Sequence, residues 1–355
     1  MLSKRKIRFG AIGCGGAGSY RIQTLAEHPL GVQVTAVADL EMPNLDKMAS
    51  TLGYDFVRYT GEQDYRRLID ENDLDAIGIF TPHALHYEHV EYAIRKGLNV
   101  LIEKPMVCGT ANALEITRLM ENSGKIGIVH YQRHYEAKYL KARELIKQGF
   151  LGEIKHFFVY MAQDWYGRTW RGEPELSGGG QINDSGSHYQ GILLWMLNAL
   201  PISAEGSIDS IYRGKKKKVE HNGSFNVELD NGANGRIIII SDIPGGFSDD
   251  IRIIGSKGSF LFQENRLIFF DAQKNTYNDI PLGKPKNYPE SPCDNFLKML
   301  YKKNRINRVP FIFSCRVVLL TEAMLRSGHN QGEKIFCADI LKESKHTLAD
   351  LAIKK

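Results

Sequence analysis

The stretch that decides the fold runs from Ile7 to Gly18 and reads IRFGAIGCGGAG. A short, mostly apolar strand leads into a G-x-G-x-x-G pattern, and a helix is expected to begin near Ala17. In such a turn the first glycine permits a tight bend, the second lets the backbone approach a pyrophosphate, and the third lets helix and strand pack closely. Free N–H groups at the helix start favour phosphate binding. We therefore expect a dinucleotide to be bound by Gly13, Gly15, Gly16, Ala17 and Gly18.

The next strand-like run, VQVTAVA at Val32–Ala38, is followed by Asp39. This position lies about 20 residues after the glycine turn, where a carboxylate hydrogen-bonds the adenine-ribose 2′-hydroxyl of a dinucleotide. The same carboxylate would repel a 2′-phosphate, and neither Leu40 nor Glu41 supplies a cation to neutralise it. The sequence therefore favours NAD over NADP.

Strand and helix patterns alternate through the first third of the chain. After the strand at 7–12, strands are expected at 32–38, 56–59, 76–80, 99–102 and 125–130. Helix patterns lie between them, at 20–27, 65–70 and 87–96 among others. Short apolar strands separated by amphipathic helices indicate a parallel sheet that is covered on both faces. Residues 1–128 are therefore predicted to form a doubly wound, Rossmann-type NAD(P)-binding domain.

The pattern changes after a crossing helix expected over 135–148. Strand-like runs then follow one another at 156–162, 208–213, 224–229, 236–241, 250–254 and 259–263. Turn signals lie at Asn222-Gly223, Asn231-Gly232 and Lys257-Gly258. Two helices are expected at 292–301 and 314–328. Residues 129–355 are therefore predicted to form an α/β domain with a large, mostly antiparallel open sheet.

The composition suits a globular protein of two domains: 355 residues, 43% hydrophobic and 25% charged. The net charge of +5 is mild and spread along the chain, which argues against a nucleic-acid partner. Lys215–Lys218, a basic run, is interpreted as a solvated turn. The five cysteines are scattered, as is usual for reduced thiols. Because Met1–Lys6 lacks an export signal and no apolar run approaches about 18 residues, we expect a cytoplasmic protein without a membrane partner.

Three further motifs carry a family resemblance. They are Thr81-Pro82-His83-Ala84-Leu85-His86, Glu103-Lys104-Pro105, and Gly178-Gly179-Gly180 followed by Asp184 and His188. Together with the glycine turn they resemble the Gfo/Idh/MocA family over nearly the whole chain. The resemblance implies a Rossmann domain, a C-terminal α/β domain whose open sheet forms a homodimer or homotetramer interface, a tightly held NAD(P), and a polyhydroxylated small-molecule substrate such as a sugar or polyol.

Ligands of open α/β sheets bind beyond the carboxyl ends of the strands. By that rule and by the resemblance, the cofactor is expected to contact Thr81, Pro82, His83, His86, Glu103 and Lys104. Glu103 could instead pair with Lys104, and the sequence leaves both possibilities open. A cis bond before Pro105 would fix the direction of Lys104.

The expected chemistry rests on Lys104, Asp184 and His188. A histidine titrates near neutrality, as the base in alcohol oxidation must, so His188 is expected to remove the hydroxyl proton. Lys104 would stabilise the developing alkoxide. Asp184 lies four residues before His188, a spacing that shares one helix face, and would position the site through the substrate or through His188. Metal is not expected, because these residues supply too few ligands.

Two segments, Tyr131–Arg133 and Asp164–Arg171, are expected to shape the substrate pocket. Aromatic rings can cover the C–H faces of a sugar, and arginine can bind hydroxyls or carboxylates. The candidates are Gln132, Arg133, Trp165, Tyr166 and Arg168. One position departs from the family, because many relatives carry an acidic residue where this chain has Gly191, which weakens an inositol-type assignment.

Two other functions remain open at this stage. A bound NAD could support transient oxidation during elimination, epimerisation or glycosidic cleavage, without net NADH. Alternatively, the chain could be a cofactor-binding regulator without turnover, although a sensor needs no acid/base set such as Lys104, Asp184 and His188.

Overall fold

The chain forms two compact units in the computed structural model, which describes residues 5–283, 288–303 and 306–353. Of these residues, the first unit takes those up to Cys108 together with Asn112–Tyr131 and Pro289–Phe311. The second unit takes Gly109–Ala111, Gln132–Tyr288 and the residues from Ile312 onward.

Strands and helices are numbered in chain order. The strands are β1 (Ile7–Ile12), β2 (Val32–Ala38), β3 (Val57–Tyr59), β4 (Ala76–Ile79), β5 (Asn99–Ile102), β6 (Gly127–Val129), β7 (Ile154–Asp164), β8 (Pro201–Asp209), β9 (Ile211–Tyr212), β10 (Lys215–Lys216), β11 (Asn222–Leu229), β12 (Asn234–Ile240), β13 (Asp242–Gly255), β14 (Gly258–Gln263), β15 (Arg266–Asp271), β16 (Thr276–Asp279) and β17 (Ile335–Phe336). The α-helices are α1 (Gly16–Glu27), α2 (Met42–Leu52), α3 (Asp64–Glu71), α4 (His86–Arg95), α5 (Thr110–Ser123), α6 (Ala137–Lys147), α7 (Pro174–Ser177), α8 (Gly186–Leu197), α9 (Pro292–Leu300), α10 (Phe311–His329) and α11 (Cys337–Glu343).

The first unit contains the predicted doubly wound sheet. Its six strands are parallel and lie in the order β3-β2-β1-β4-β5-β6. The central strands are buried along most of their length, as expected for apolar strands with helices on both faces. Since all six run the same way, Gly13, Asp39, Thr81 and Glu103 follow strands that end at one edge.

Helix α9 joins the first unit from far along the chain. Its Phe296 and Leu297 are fully buried in the same apolar cluster as Phe9 and Leu25. The sequence indicated the helix but gave no sign of its partners, because a helix pattern shows which face is apolar and not what covers it.

The second unit contains a nine-stranded sheet in the order β16-β15-β14-β13-β7-β12-β11-β8-β17. Only the pair β7 and β12 among these described strands is parallel, and the other neighbours are antiparallel. The predicted fold class, a parallel Rossmann sheet followed by a mostly antiparallel one, is therefore confirmed. β9 and β10 form a separate hairpin.

Two local predictions in this unit are wrong. The strand expected at 208–213 is divided, because β8 ends at Asp209 and β9 begins at Ile211. Asn222-Gly223 is not a turn but the start of β11, where Asn222 pairs with Asp209 and donates its amide N–H to that carboxylate at 2.9 Å. None of the helices in the described part of the chain has the length and apolar character needed to cross a membrane.

Candidate active site

The glycine turn has the geometry of a phosphate cradle. Helix α1 begins at Gly16, and Gly15 is its N-cap. A methyl group added at Gly18 would lie 2.3 Å from the carbonyl oxygen of Gly13 and 3.0 Å from Cβ of Phe80, so only glycine fits there. A methyl group at Gly16 would meet no atom within 4 Å, so the space in front of the helix start is open. The turn thus offers backbone N–H groups and the positive end of a helix dipole to an anion.

Asp39 closes the turn from the end of β2. Its carboxylate accepts hydrogen bonds from the Cys14 N–H at 2.7 Å, the Glu41 N–H at 3.0 Å and the Asn44 side-chain amide at 3.0 Å. Burial and the neighbouring carboxylate raise the pKa of the Cys14 thiol, so this thiol stays neutral rather than nucleophilic. The open cradle and the fixed carboxylate fit the pyrophosphate and adenosine ribose of a dinucleotide.

A buried ion pair supports Glu103 at the end of β5. Arg21 on α1 donates its Nε–H to Glu103 Oε1 at 2.8 Å, and His130 Nδ1 lies 3.8 Å from the same oxygen. Burial opposes ionisation of Glu103, but His130, Arg21 and Lys104 outweigh it and hold its pKa below the usual range. Burial lowers the pKa of His130 to about 4, so at neutral pH its ring is neutral and the charges of Arg21 and Lys104 favour the Glu103 carboxylate. Sequence reasoning missed Arg21 and His130, which belong to no motif.

The segment after β4 is held by buried histidines. The two ring nitrogens of His86 lie 2.8 Å from the Pro105 carbonyl oxygen and 2.9 Å from that of Thr81, and the side chain is fully buried. Thr81 Oγ1 lies 3.0 Å from Nδ1 of His89. His83 is also buried, with its ring packed edge-on against His86. His86 thus links the segments that follow β4 and β5.

Lys104 follows Glu103 at the end of β5. The Lys104–Pro105 peptide bond is cis, as expected from the sequence. The backbone N–H of Lys104 lies 3.3 Å from Glu103 Oε2, and its side chain is partly exposed.

In the second unit, Asp184 lies in the turn before α8 and His188 in the first turn of that helix. The buried Asp184 Oδ2 accepts hydrogen bonds from the Trp165 indole N–H at 2.9 Å and from Arg171 Nε at 3.0 Å. The backbone N–H of Asp184 donates to the Gly180 carbonyl at 2.9 Å, which closes the turn. Trp165 is buried, and its indole N–H orients the Asp184 carboxylate. Arg171 ends the segment 164–171 that was expected to shape the pocket, but its contact with Asp184 was not predicted.

The other residues expected in the substrate pocket differ in exposure and in their contacts. Tyr166 is 47% exposed, and Arg168 and Lys217 approach its ring at 5.6 and 4.3 Å. Lys217 therefore packs on an aromatic ring, although its basic run was interpreted as merely solvated. Arg133 donates to the Tyr189 hydroxyl at 2.6 Å, and Gln132 is exposed.

The expected site residues thus form two groups. The nucleotide-turn and strand-end residues lie in the first unit, and Gln132, Arg133, Trp165, Tyr166, Arg168, Asp184 and His188 lie in the second. Within the ranges that the structure describes, no three His, Cys, Asp or Glu side chains are placed to hold a metal ion.

Comparison with known proteins identifies the family. Residues 7–131 match the model described as an oxidoreductase family with an NAD-binding Rossmann fold, and residues 139–261 match the GFO/IDH/MocA C-terminal domain. The chain therefore belongs to the Gfo/Idh/MocA family of NAD-binding oxidoreductases.

Individual relatives are distant. A 1-carboxy-3-chloro-3,4-dihydroxycyclohexa-1,5-diene dehydrogenase of Comamonas testosteroni is 26% identical over 65% of this chain and 57% of its own length. The NAD⁺-dependent scyllo-inositol 2-dehydrogenase of Bacillus subtilis is 20% identical over 78% of this chain and 81% of its own. Alignments with three curated relatives cover only 57%, 63% and 44% of those proteins, so the chain spans about half of their length.

Solved structures share the fold over most of the chain. An inositol dehydrogenase homologue from Azotobacter vinelandii, crystallised with NAD⁺, has a TM-score of 0.80 at 20% identity, covering 94% of this chain and 97% of that one. At this identity the likeness shows the fold and not the substrate.

Proposed function

We propose that this protein is an NAD-dependent dehydrogenase that oxidises, reversibly, a secondary alcohol of a sugar, polyol or sugar derivative. The observation that carries the proposal is the glycine cradle closed by Asp39, in a chain that matches an NAD-binding oxidoreductase family over residues 7–131. Residues 1–128 would bind the dinucleotide, and residues 129–355 would bind substrate and form the oligomer.

The cofactor assignment follows from the contacts in the first unit. The turn Gly13–Gly18 would hold the pyrophosphate, and Asp39 the adenosine ribose. Thr81, Pro82 and Lys104 would line the nicotinamide half, with His83, His86 and Glu103 supporting them. Asp39 adds a negative charge where NADP carries a phosphate, which favours NAD.

The reaction assigns one role to each polar residue. Bound NAD supplies the hydride acceptor. His188 takes the proton from the substrate hydroxyl as the C–H bond of the same carbon breaks. Lys104 hydrogen-bonds that oxygen and stabilises its developing negative charge. Asp184, fixed by Trp165 and Arg171, accepts the Ser187 hydroxyl at its carbonyl oxygen and would so position the first turn of α8, which carries His188.

The substrate class is inferred from the relatives and from the pocket candidates. Curated relatives include an NADP⁺-dependent D-xylose 1-dehydrogenase and an NAD⁺-dependent scyllo-inositol 2-dehydrogenase, both named for polyhydroxylated substrates. Tyr166 presents an exposed ring flanked by cations, which suits a sugar with polar or acidic substituents. Gly191 stands where many relatives carry an acidic side chain, which weakens an inositol-type assignment in particular.

The open sheet supports a homodimer or homotetramer. Side chains alternate along β7 between fully buried and partly exposed, and Phe158 and Tyr160 lie on the exposed side. Ile238 is paired in register with Tyr160, which extends this apolar strip across two strands. A second copy of the chain is the proposed cover for these partly exposed apolar side chains, since apolar surface is buried at interaction sites.

A cytoplasmic location is supported by the cysteines. All five are free thiols, and four of them are buried. Free thiols in this number are typical of a reducing compartment.

The test is a panel of sugars, polyols and sugar acids incubated with NAD or NADP. We expect reduced-nicotinamide absorbance with NAD and at least one member, and a loss of roughly 10²- to 10⁴-fold in His188→Ala, which should still bind NAD. Absence of reduced cofactor with every member, despite NAD binding, would contradict net dehydrogenation.

A further inference from the structure

A buried carboxylate lies beneath the glycine run that precedes Asp184. Glu220 stands just before β11, belongs to no motif described above and is only 4% exposed. Its Oε1 accepts a hydrogen bond from the Gly180 N–H at 2.6 Å. The backbone N–H groups of Ile182 and Asn183 also hydrogen-bond to this side chain. The side chain therefore holds the backbone of the turn that ends at Asp184.

The main chain of Glu220 holds the same turn. Its carbonyl oxygen accepts the Gln181 N–H at 3.0 Å. A methyl group added at Gly180 would lie 1.9 Å from that oxygen, so the two segments touch and Gly180 has to be glycine. The close approach explains why glycine stands at this position of the motif.

His221, which follows Glu220, supports the Asp184 side chain through Trp165. His221 packs its ring edge-on against Trp165, with centroids 5.0 Å apart, and its Nδ1 lies 2.8 Å from Ser241 Oγ. Trp165 in turn donates to Asp184. Two consecutive residues thus hold both the backbone turn before Asp184 and the indole that orients its carboxylate.

We infer that Glu220 is a positioning residue for the Asp184–His188 segment: its side chain fixes the turn 180–184 from which α8 begins. The inference rests on the proposed function for the roles of Asp184 and His188, but the contact itself does not. Without an acceptor at this place, the Gly180 N–H would be buried and unpaired, which is unfavourable, so the turn would open.

The test compares Glu220→Leu, which keeps bulk but removes the acceptor, with Glu220→Gln, which keeps a carbonyl oxygen. Glu153→Gln, an exposed carboxylate of the same unit, is the matched control. Hydrogen–deuterium exchange of the apo protein should be about tenfold faster in peptides spanning 179–188 of Glu220→Leu, no faster than wild type in Glu220→Gln, and near wild type in the control. Exchange in peptides spanning 7–39 should not change.

Kinetics provide the second readout. With a substrate found by the panel, Glu220→Leu should lose about tenfold or more in kcat while its Kd for NAD stays unchanged, and Glu220→Gln should recover most of the loss. Unchanged exchange at 179–188, or equal acceleration everywhere, would overturn the inference. If Glu220→Leu does not fold, exchange of the Gly180 amide is measured in the wild type instead. Exchange of that amide at the unprotected rate would also overturn the inference. A wild type that oxidises no panel member would defeat the proposed function, while the exchange experiment would still decide the role of Glu220.

Discussion

Gly18→Ala tests the nucleotide cradle most sharply, because the structure sets the size of the perturbation. The added methyl would lie 2.3 Å from the Gly13 carbonyl oxygen, whereas an ordinary contact needs about 3.5 Å. The turn and α1 must therefore separate by about 1 Å. Overpacking of this kind costs roughly 1–3 kcal/mol. If the cost falls on the binding-competent turn, the affinity for NAD should drop about 5- to 150-fold.

The assay measures the free energy of unfolding of the apo protein by denaturant titration and the Kd for NAD by calorimetry. Gly16→Ala is the control for stability, because its methyl would enter open space at a helix start. We expect Gly18→Ala to lose stability and affinity together, and Gly16→Ala to keep its apo stability. Wild-type stability and affinity in Gly18→Ala would refute the packing argument for the cradle.

Three further predictions concern other parts of the site. Asp39→Asn should lower the preference for NAD over NADP about tenfold, because the charge that repels a 2′-phosphate is gone, and kcat/KM with each cofactor measures it; an unchanged ratio would remove Asp39 from cofactor choice. Trp165→Phe should lower kcat about tenfold without changing NAD affinity, since Asp184 loses a buried hydrogen bond; a normal kcat would show that the indole does not matter. Burial raises the pKa of Glu220 to about 7. Between its unfolded pKa, near 4.3, and pH 7, the folded chain therefore binds more protons than the unfolded chain. The free energy of unfolding of the wild type should fall as the pH rises through this range. As the pH rises from 4 to 8, the free energy of unfolding of Glu220→Gln should therefore increase by about 3 kcal/mol relative to that of the wild type. The same difference between the two proteins at pH 4 and at pH 8 would contradict this.

Local pattern was enough to predict the first sheet. β1 and β2 begin and end where the apolar runs indicated, because buried parallel strands are apolar along their length and glycine marks the turn. β15 and β16 were not predicted from the sequence. β16 has four exposed residues, so its sequence carries no apolar alternation, and it is a strand only because β15 pairs with it.

At the site, the features that the sequence did not predict are those that depend on long-range contacts. The glycine turn and Asp39 could be found because their spacing along the chain is fixed by one strand–turn–helix unit. The Arg21–Glu103 ion pair and the Glu220–Gly180 bond join residues 82 and 40 positions apart, and only tertiary packing brings them together. Trp165 shows the same limit, because the sequence indicated an aromatic residue near the site but not that its indole N–H faces Asp184.

The most direct test of the proposed chemistry is a crystal structure with NAD and a polyol that the panel shows to be oxidised. We expect the Lys104 ammonium and a ring nitrogen of His188 to lie within about 3.2 Å of one hydroxyl oxygen, on the carbon that faces the nicotinamide ring. Lys104 and His188 on different substrate atoms, or either side chain directed into solvent, would contradict the assignment.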